Sequence, residues 1–239
     1  MFEERPPAYR MAGVVLGQVT ANKDPDQLGR VKVRLSGWDE EVWARVASFA
    51  AGDEWGAFFL PEVEDEVLLA FAEGDISNPF VIGVLYNGKA KPAYPQDGKN
   101  FVKSLRTKGG NEIFFNDEAG KEKVEIKTKE GFSLILDQGE NGLLQLSTKG
   151  GHSILLDDKK KVAEIKTSGG LKITMDDNKK SLGITDGSNK IVMESAGITI
   201  QSSSKLTLKS TQVEIQGDAQ LTVKSSGILT LQGALVKIN

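Results

Sequence analysis

The sequence predicts an all-β protein in two parts: a small closed barrel, then a needle of short repeated strands shared among three chains. Three observations carry this. One phrase recurs five times between Thr107 and Glu194, as TKGGNEIFFN, TKEGFSLILD, TKGGHSILLD, TSGGLKITMD and TDGSNKIVME, with successive threonines 21, 20, 19 and 18 residues apart. All three Trp, all three Tyr, all ten Phe and all seven Pro of the 239 residues lie at or before Phe132. From Ile198 onward, pairs of aliphatic residues recur every seven or eight positions. The front can therefore build an aromatic core, whereas the back lacks bulky side chains and must be held together by repetition.

Residues 1–10 form a segment ahead of the first strand, and residues 11–88 form the barrel. Five strand-like runs, MAGVVLGQVT, GRVKVRL, VWARVASF, EVLLAFA and FVIGVLY, are separated by segments rich in Asp, Gly and Pro. Between Arg30 and Leu35 charged and apolar residues alternate, so Val31, Val33 and Leu35 share one face of a half-buried strand. Five short strands with such breakers predict an OB-fold. OB-folds often bind nucleic acids or sugars, but the aromatics here stand beside Glu, Asp and Ala rather than Lys and Arg. With 30 basic against 33 acidic residues and no basic stripe, no nucleic-acid partner is expected.

Four phrases in order, DPDQLGRVKVRL (Asp24 to Leu35), WARVAS (Trp43 to Ser48), WGAFFLPEVEDEVLLAFAEGD (Trp55 to Asp75) and NPFVIGVLYNG (Asn78 to Gly88), carry a resemblance. Together they resemble the OB-fold domain of contractile-tail central spikes: the phage baseplate assembly protein V family and the VgrG-type spikes. The resemblance covers nearly all of residues 10 to 90. It implies a spike whose shaft is an intertwined triple-stranded β-helix. Gly29-Arg30 reads either as a tight turn entering a strand or as a contact between subunits.

Residues 89–104 form a connector, rich in Gly, Pro and Lys, which its prolines keep semi-rigid. Residues 105–197 form the tapering part of the shaft. In each phrase the sixth and eighth positions after the threonine, such as Ile113/Phe115 and Ile154/Leu156, place two large apolar residues on one strand face. The shortening falls after the ninth position, in the turn and second strand. Residues 198–239 form a distal triple-stranded β-helix. Its expected trimer core is Ile198/Ile200, Leu206/Leu208, Val213/Ile215, Leu221/Val223, Leu229/Leu231 and Val236/Ile238, with polar corners between. A single-chain solenoid is the alternative. An open meander would expose an apolar face and free edges. Units of decreasing length do not map onto a three-walled coil of one chain, and the resemblance also points to a trimer.

The same residues leave little room for catalysis. There is no Cys and a single His, His152, at a position where the other phrases carry Asn, Phe or Leu. No zinc site can be built within one chain from these ligands, although three copies of His152 could meet on a three-fold axis. Asp157-Asp158 and Asp176-Asp177 recur with the repeat at turns, which turn formation explains better than a glycosidase pair. The Gly-Gly pairs precede no helix and are β-corner residues rather than a phosphate loop. Expected catalytic residues, cofactors and metals are therefore none, and the protein is expected not to be an enzyme.

The resemblance implies a central spike of a contractile injection machine, whether phage tail, tailocin, type VI or extracellular injection system. The implied partners are two further copies, a separate baseplate hub protein, inner tube proteins through that hub, and transiently a target membrane. A PAAR-repeat tip protein would dock on Leu235, Val236, Lys237, Ile238 and Asn239. With neither a signal peptide nor a transmembrane stretch in view, assembly in the bacterial cytoplasm is expected, as part of a virion or tail-like particle. A carbohydrate- or nucleic-acid-binding barrel on a solenoid stalk is the alternative. A polysaccharide lyase on a solenoid would need a shaft rich in aromatics, and none follows Phe132.

Overall fold

A computed structural model describes residues 11–140 and 142–238. The N-terminal segment 1–10 and Asn239 of the expected tip site lie outside the described residues. The chain divides into two units, Met1–Lys99 and Asn100–Asn239.

In the first unit, β1 (Val15–Ala21), β2 (Arg30–Leu35), β3 (Glu41–Val46), β6 (Glu66–Phe71) and β7 (Pro79–Leu85) close into a barrel in the order β1-β2-β3-β7-β6. A two-stranded hairpin, β4 (Ala51–Gly52) and β5 (Trp55–Gly56), stands outside that ring. Only β3 and β7 run parallel; every other pair in the barrel is antiparallel. Alternation decides which residues enter the core. Val31, Val33 and Leu35 on β2 and Val67, Leu69 and Phe71 on β6 are buried together with Val19, Ala44 and Val81. Gly17 on β1 is needed for close approach: a Cβ there would lie 2.5 Å from Val33 Cγ1 and 2.8 Å from Leu69 Cδ1.

The β1–β2 loop is organised around one carboxylate. Asp24 accepts the backbone N–H groups of Asp26, Leu28 and Arg30 at 3.1, 2.9 and 3.2 Å, and the Arg30 guanidinium at 3.0 and 2.7 Å. The Arg30 hydrogen bonds hold the Asp24 carboxyl far below the usual carboxylate range. Arg30 also bonds Asp26, and Gly29 takes φ +71°, so this residue pair builds the loop itself.

The second unit is a sequential antiparallel sheet of eleven strands: β8 (Val102–Arg106), β9 (Glu112–Asn116), β10 (Lys123–Lys127), β11 (Ser133–Asp137), β12 (Leu143–Ser147), β13 (Ser153–Asp157), β14 (Val162–Lys166), β15 (Lys172–Asp176), β16 (Ser181–Thr185), β17 (Lys190–Glu194) and β18 (Gly197–Gln201). β8 begins inside the stretch read from sequence as the connector. Each of the eleven strands has five residues.

Of the two places to which the sequence assigns the shortening, the turn and the second strand, only the turn shortens. The second strands β10, β12, β14 and β16 are as long as the first strands, and the loss is confined to the connections. On one edge these shrink from six residues (117–122) to five (138–142), then four (158–161 and 177–180), and finally two (195–196). The physical reason is the ladder: shortening one strand would orphan N–H and C=O groups on its neighbours, whereas a turn can lose a residue freely. The ribbon keeps a constant width of about 17 Å.

Among the described residues after Gln201 no strand ladder forms. Instead the backbone bends at Ser203–Ser204, Thr211, Asp218–Ala219, Ser226–Gly227 and Ala234, and the expected apolar pairs fall between the bends.

Candidate assembly interface

The repeated phrase encodes the sheet's corners. In Thr107, Thr128, Thr148 and Thr167 the hydroxyl accepts the backbone N–H four residues on, at Asn111, Phe132, His152 and Leu171, with distances of 3.1 to 3.2 Å. The glycine three positions after each threonine, Gly110, Gly131, Gly151 or Gly170, takes φ between +84° and +94°, where an L side chain is strained. In the fifth phrase the corner is one residue shorter and Thr185 lies inside β16.

The ninth position closes the opposite edge. Asn116, Asp137, Asp157 and Asp176 each accept a backbone N–H two or three residues on, at Glu118, Gly139, Lys160 and Lys179, over 2.7 to 3.0 Å. These Asx turns are what the acidic pairs build. The backbone N–H of Lys160 lowers the Asp157 carboxyl below its ordinary value, that of Lys179 does so for Asp176, and that of Asn189 for Asp186. Among the described residues, no group of three or more His, Asp or Glu side chains is placed to hold a metal.

With both edges fixed, register decides the faces. Leu105, Ile113, Ile126, Leu134, Leu146, Ile154, Ile165, Ile173, Ile184, Ile191 and Ile200 stand opposite one another across eleven strands. A second column on the same face runs Phe115, Val124, Leu136, Leu144, Leu156, Ala163, Met175, Leu182, Met193 and Ile198, with Lys103 at its β8 end. Among the described residues these columns stay partly open to solvent: Ile154 is 40% exposed and Met175 51%. Contiguous apolar surface on this scale marks an interaction site.

The reverse face is polar and ion-paired. Lys127 meets Glu112 at 3.2 Å, Lys172 meets Glu164 at 2.6 Å, and Lys123 meets Glu125 at 3.2 Å. Phe114, also on that face, lies beneath the Lys123 and Lys127 ammonium groups at 5.3 and 5.9 Å.

Of the core residues expected from sequence, Ile198 and Ile200 lie on β18 and extend the two columns. Leu206, Leu208, Val213, Ile215, Leu221, Val223, Leu229, Leu231, Val236 and Ile238 follow on the segment without a ladder, all at least half exposed. Within the expected tip site, Leu235 is 74% and Ile238 84% exposed.

One surface escaped the sequence reading. Phe49, Trp55, Phe58 and Phe59, around the β4–β5 hairpin, are 67 to 90% exposed. Their support is built in: the Ser48 hydroxyl lies 3.0 Å from the carbonyl oxygens of both Ala50 and Ala57, either of which can accept its one proton, and Ala57 N–H donates to Ala50 O at 2.9 Å. The run AGDEWGAFFLPE has no strand or helix period, and only its aromatic density could have marked it.

Residues 15–86 match the family described as the type VI secretion system/phage-baseplate injector OB domain. The chain is also similar to type VI secretion system spike proteins. It is 32% identical to VgrG1b of Pseudomonas aeruginosa over 143 residues, 53% of this chain and 19% of that protein. It is 34% identical to VgrG1a of the same organism over 129 residues, 47% and 20% respectively. Similarity extends to the actin cross-linking toxin VgrG1 of Vibrio cholerae, 29% identical over 128 residues, 48% of this chain and 12% of that protein. The chain thus spans a fifth or less of the length of these curated relatives. Residues 15–86, which include the closed five-stranded barrel, thus match the injector OB domain, and over about half of its length the chain is similar to VgrG-type spike proteins.

Proposed function

We propose that three copies of this chain form the central spike of a contractile injection machine, and that the spike works mechanically, without breaking bonds. The observation that carries this is the apolar face: one column across eleven strands and a second across ten, left partly exposed among the described residues and continued by the exposed pairs from Leu206 to Ile238. Three such ribbons with these faces turned inward would bury both columns and leave the ion-paired face to water. In the distal segment, strands that have no partner in their own chain would pair with those of the other two, satisfying their backbone groups. Residues 198–238 would then carry the inward pairs.

The barrels would dock on a baseplate hub, and through it on the inner tube. The exposed aromatics Phe49, Trp55, Phe58 and Phe59 provide apolar surface suited to such docking. A PAAR-type protein on Leu235 to Ile238 belongs to the same reading and rests on the family resemblance. Assembly in the bacterial cytoplasm, followed by passage through a target membrane, completes it; among the described residues no helix is long and apolar enough to cross a membrane.

The mass of the purified chain in solution, by light scattering or native mass spectrometry, tests the reading. Three times 25.8 kDa is the expected result, and a stable monomer refutes it.

A further inference from the structure

We infer that His152 is an acid-sensitive latch between two stacked corners of the sheet. Successive corners are tied together at every second step. Asn111 Oδ1 accepts the backbone N–H of Lys129 at 3.2 Å, and Asn189 Oδ1 accepts that of Ser203 at 3.0 Å. Midway between these two, His152 Nδ1 accepts the backbone N–H of Ser168 at 3.4 Å. The positions correspond: each acceptor ends its corner, and each donor follows the hydroxyl residue, Thr128, Thr167 or Ser202, that opens the next. The intervening corners carry Phe132 and Leu171, which have no acceptor to offer. The single histidine of the chain thus stands where its two sister corners use asparagine.

The substitution changes what acid can do. An amide oxygen accepts a hydrogen bond at any pH in the physiological range. An imidazole nitrogen accepts one only while unprotonated, and imidazoles ordinarily titrate near pH 6.5. Protonated Nδ1 would turn an N–H toward the Ser168 N–H, opposing two donors and opening the tie.

The surroundings do not offset that charge. The hollow on the apolar face that His152 lines, with Phe132, Ile154 and Ile165, holds no carboxylate, and Lys166 at the end of β14 belongs to the opposite face, paired in register with Ser153 and Lys172. Lys149 lies in the corner of His152 itself and is ion-paired with Glu130 of the preceding corner, so that carboxylate is already engaged. Lys129, the one cation of the preceding corner, donates its backbone N–H to Asn111. The corner that carries Ser168, residues 167–171, has no titratable side chain.

Amide hydrogen exchange on the full chain tests the latch, with Lys129 and Ser203 as internal references. Between pH 7.5 and 5.0, protection of Ser168 relative to the two references is expected to fall roughly fivefold, the size that losing one hydrogen bond implies. In His152→Asn the ratio is expected to stay constant across the same range. A wild-type ratio that does not change with pH overturns the proposal, and so does a His152→Asn variant that reproduces the wild-type fall. Because donor and acceptor belong to one chain, the exchange readout stands whether or not the chain trimerises.

Discussion

Ile154 lies in the middle of the first apolar column, opposite Leu146 on one side and Ile165 on the other, and keeps 40% of its surface in the single chain. Fully burying such a side chain is worth about 1.5–3 kcal/mol, so the exposed fraction represents about 0.6–1.2 kcal/mol per copy, or about 2–4 kcal/mol for one layer of three. Ile154→Ala in a covered site also leaves a cavity, which raises the cost to about 2–5 kcal/mol per chain. Ile154→Asp would bury three carboxylates together and should abolish assembly. The matched control is Thr174→Ala on β15, which points to the opposite, polar face. The assay is urea unfolding at several protein concentrations, alongside mass in solution. The expected result is a midpoint that falls with dilution in the wild type, a large loss in Ile154→Ala, no trimer in Ile154→Asp, and little change in Thr174→Ala. If Ile154→Asp keeps the mass and stability of the wild type, the apolar face is not an interface and the reasoning fails.

In the barrel, Gly17→Ala would drive a methyl group against Val33 and Leu69, with the Arg34 carbonyl oxygen 3.0 Å away. A loss of about 1–3 kcal/mol is expected in thermal unfolding of the full chain, and an unchanged barrel transition would contradict the packing described. The carboxyls of Asp157, Asp176 and Asp186 are lowered in the folded protein by turn N–H groups, so their contribution is complete above the ordinary value, about 3.9, and is lost as pH falls through their lowered values. Acid unfolding of the sheet should therefore steepen below about pH 4, and the triple Asp→Asn variant should show a flatter slope there; equal slopes would argue against the turn bonds.

Much of this fold was legible in the sequence because it depends on local alternation. Val31, Val33 and Leu35 announce a half-buried strand, and the core contains all three. The sixth and eighth positions of each phrase announce one face of the ribbon, and the registers place them on it. What stayed hidden was set by hydrogen bonds that residue type does not advertise. Strand ends are fixed where Thr148 Oγ1 meets His152 N–H and where Asp157 Oδ1 meets Lys160 N–H, so the missing residues had to come from the turns. The start of β8 at Val102 was obscured by its neighbourhood of Gly, Pro and Lys. The aromatic hairpin was missed because an exposed cluster without periodicity looks like an ordinary loop. His152 could be singled out by its rarity, but its use as an asparagine substitute needed the stacking of corners.

The meander also dictates an order of events in time. From β8 to β18 every strand pairs with its immediate neighbour in sequence, so these contacts have short loops to close and can form rapidly as the chain emerges. Residues 202–238 have no such neighbour. On the trimeric reading, their pairing must wait for encounters between chains, which makes it second- or higher-order in protein concentration and slower at low expression. Formation would then proceed as a zipper, nucleated where the ladders are already complete and closing toward the far end. Dilution during refolding should trap chains whose eleven-strand ladder is formed while the last forty or so residues stay open, a species that limited proteolysis would trim back to near Gln201.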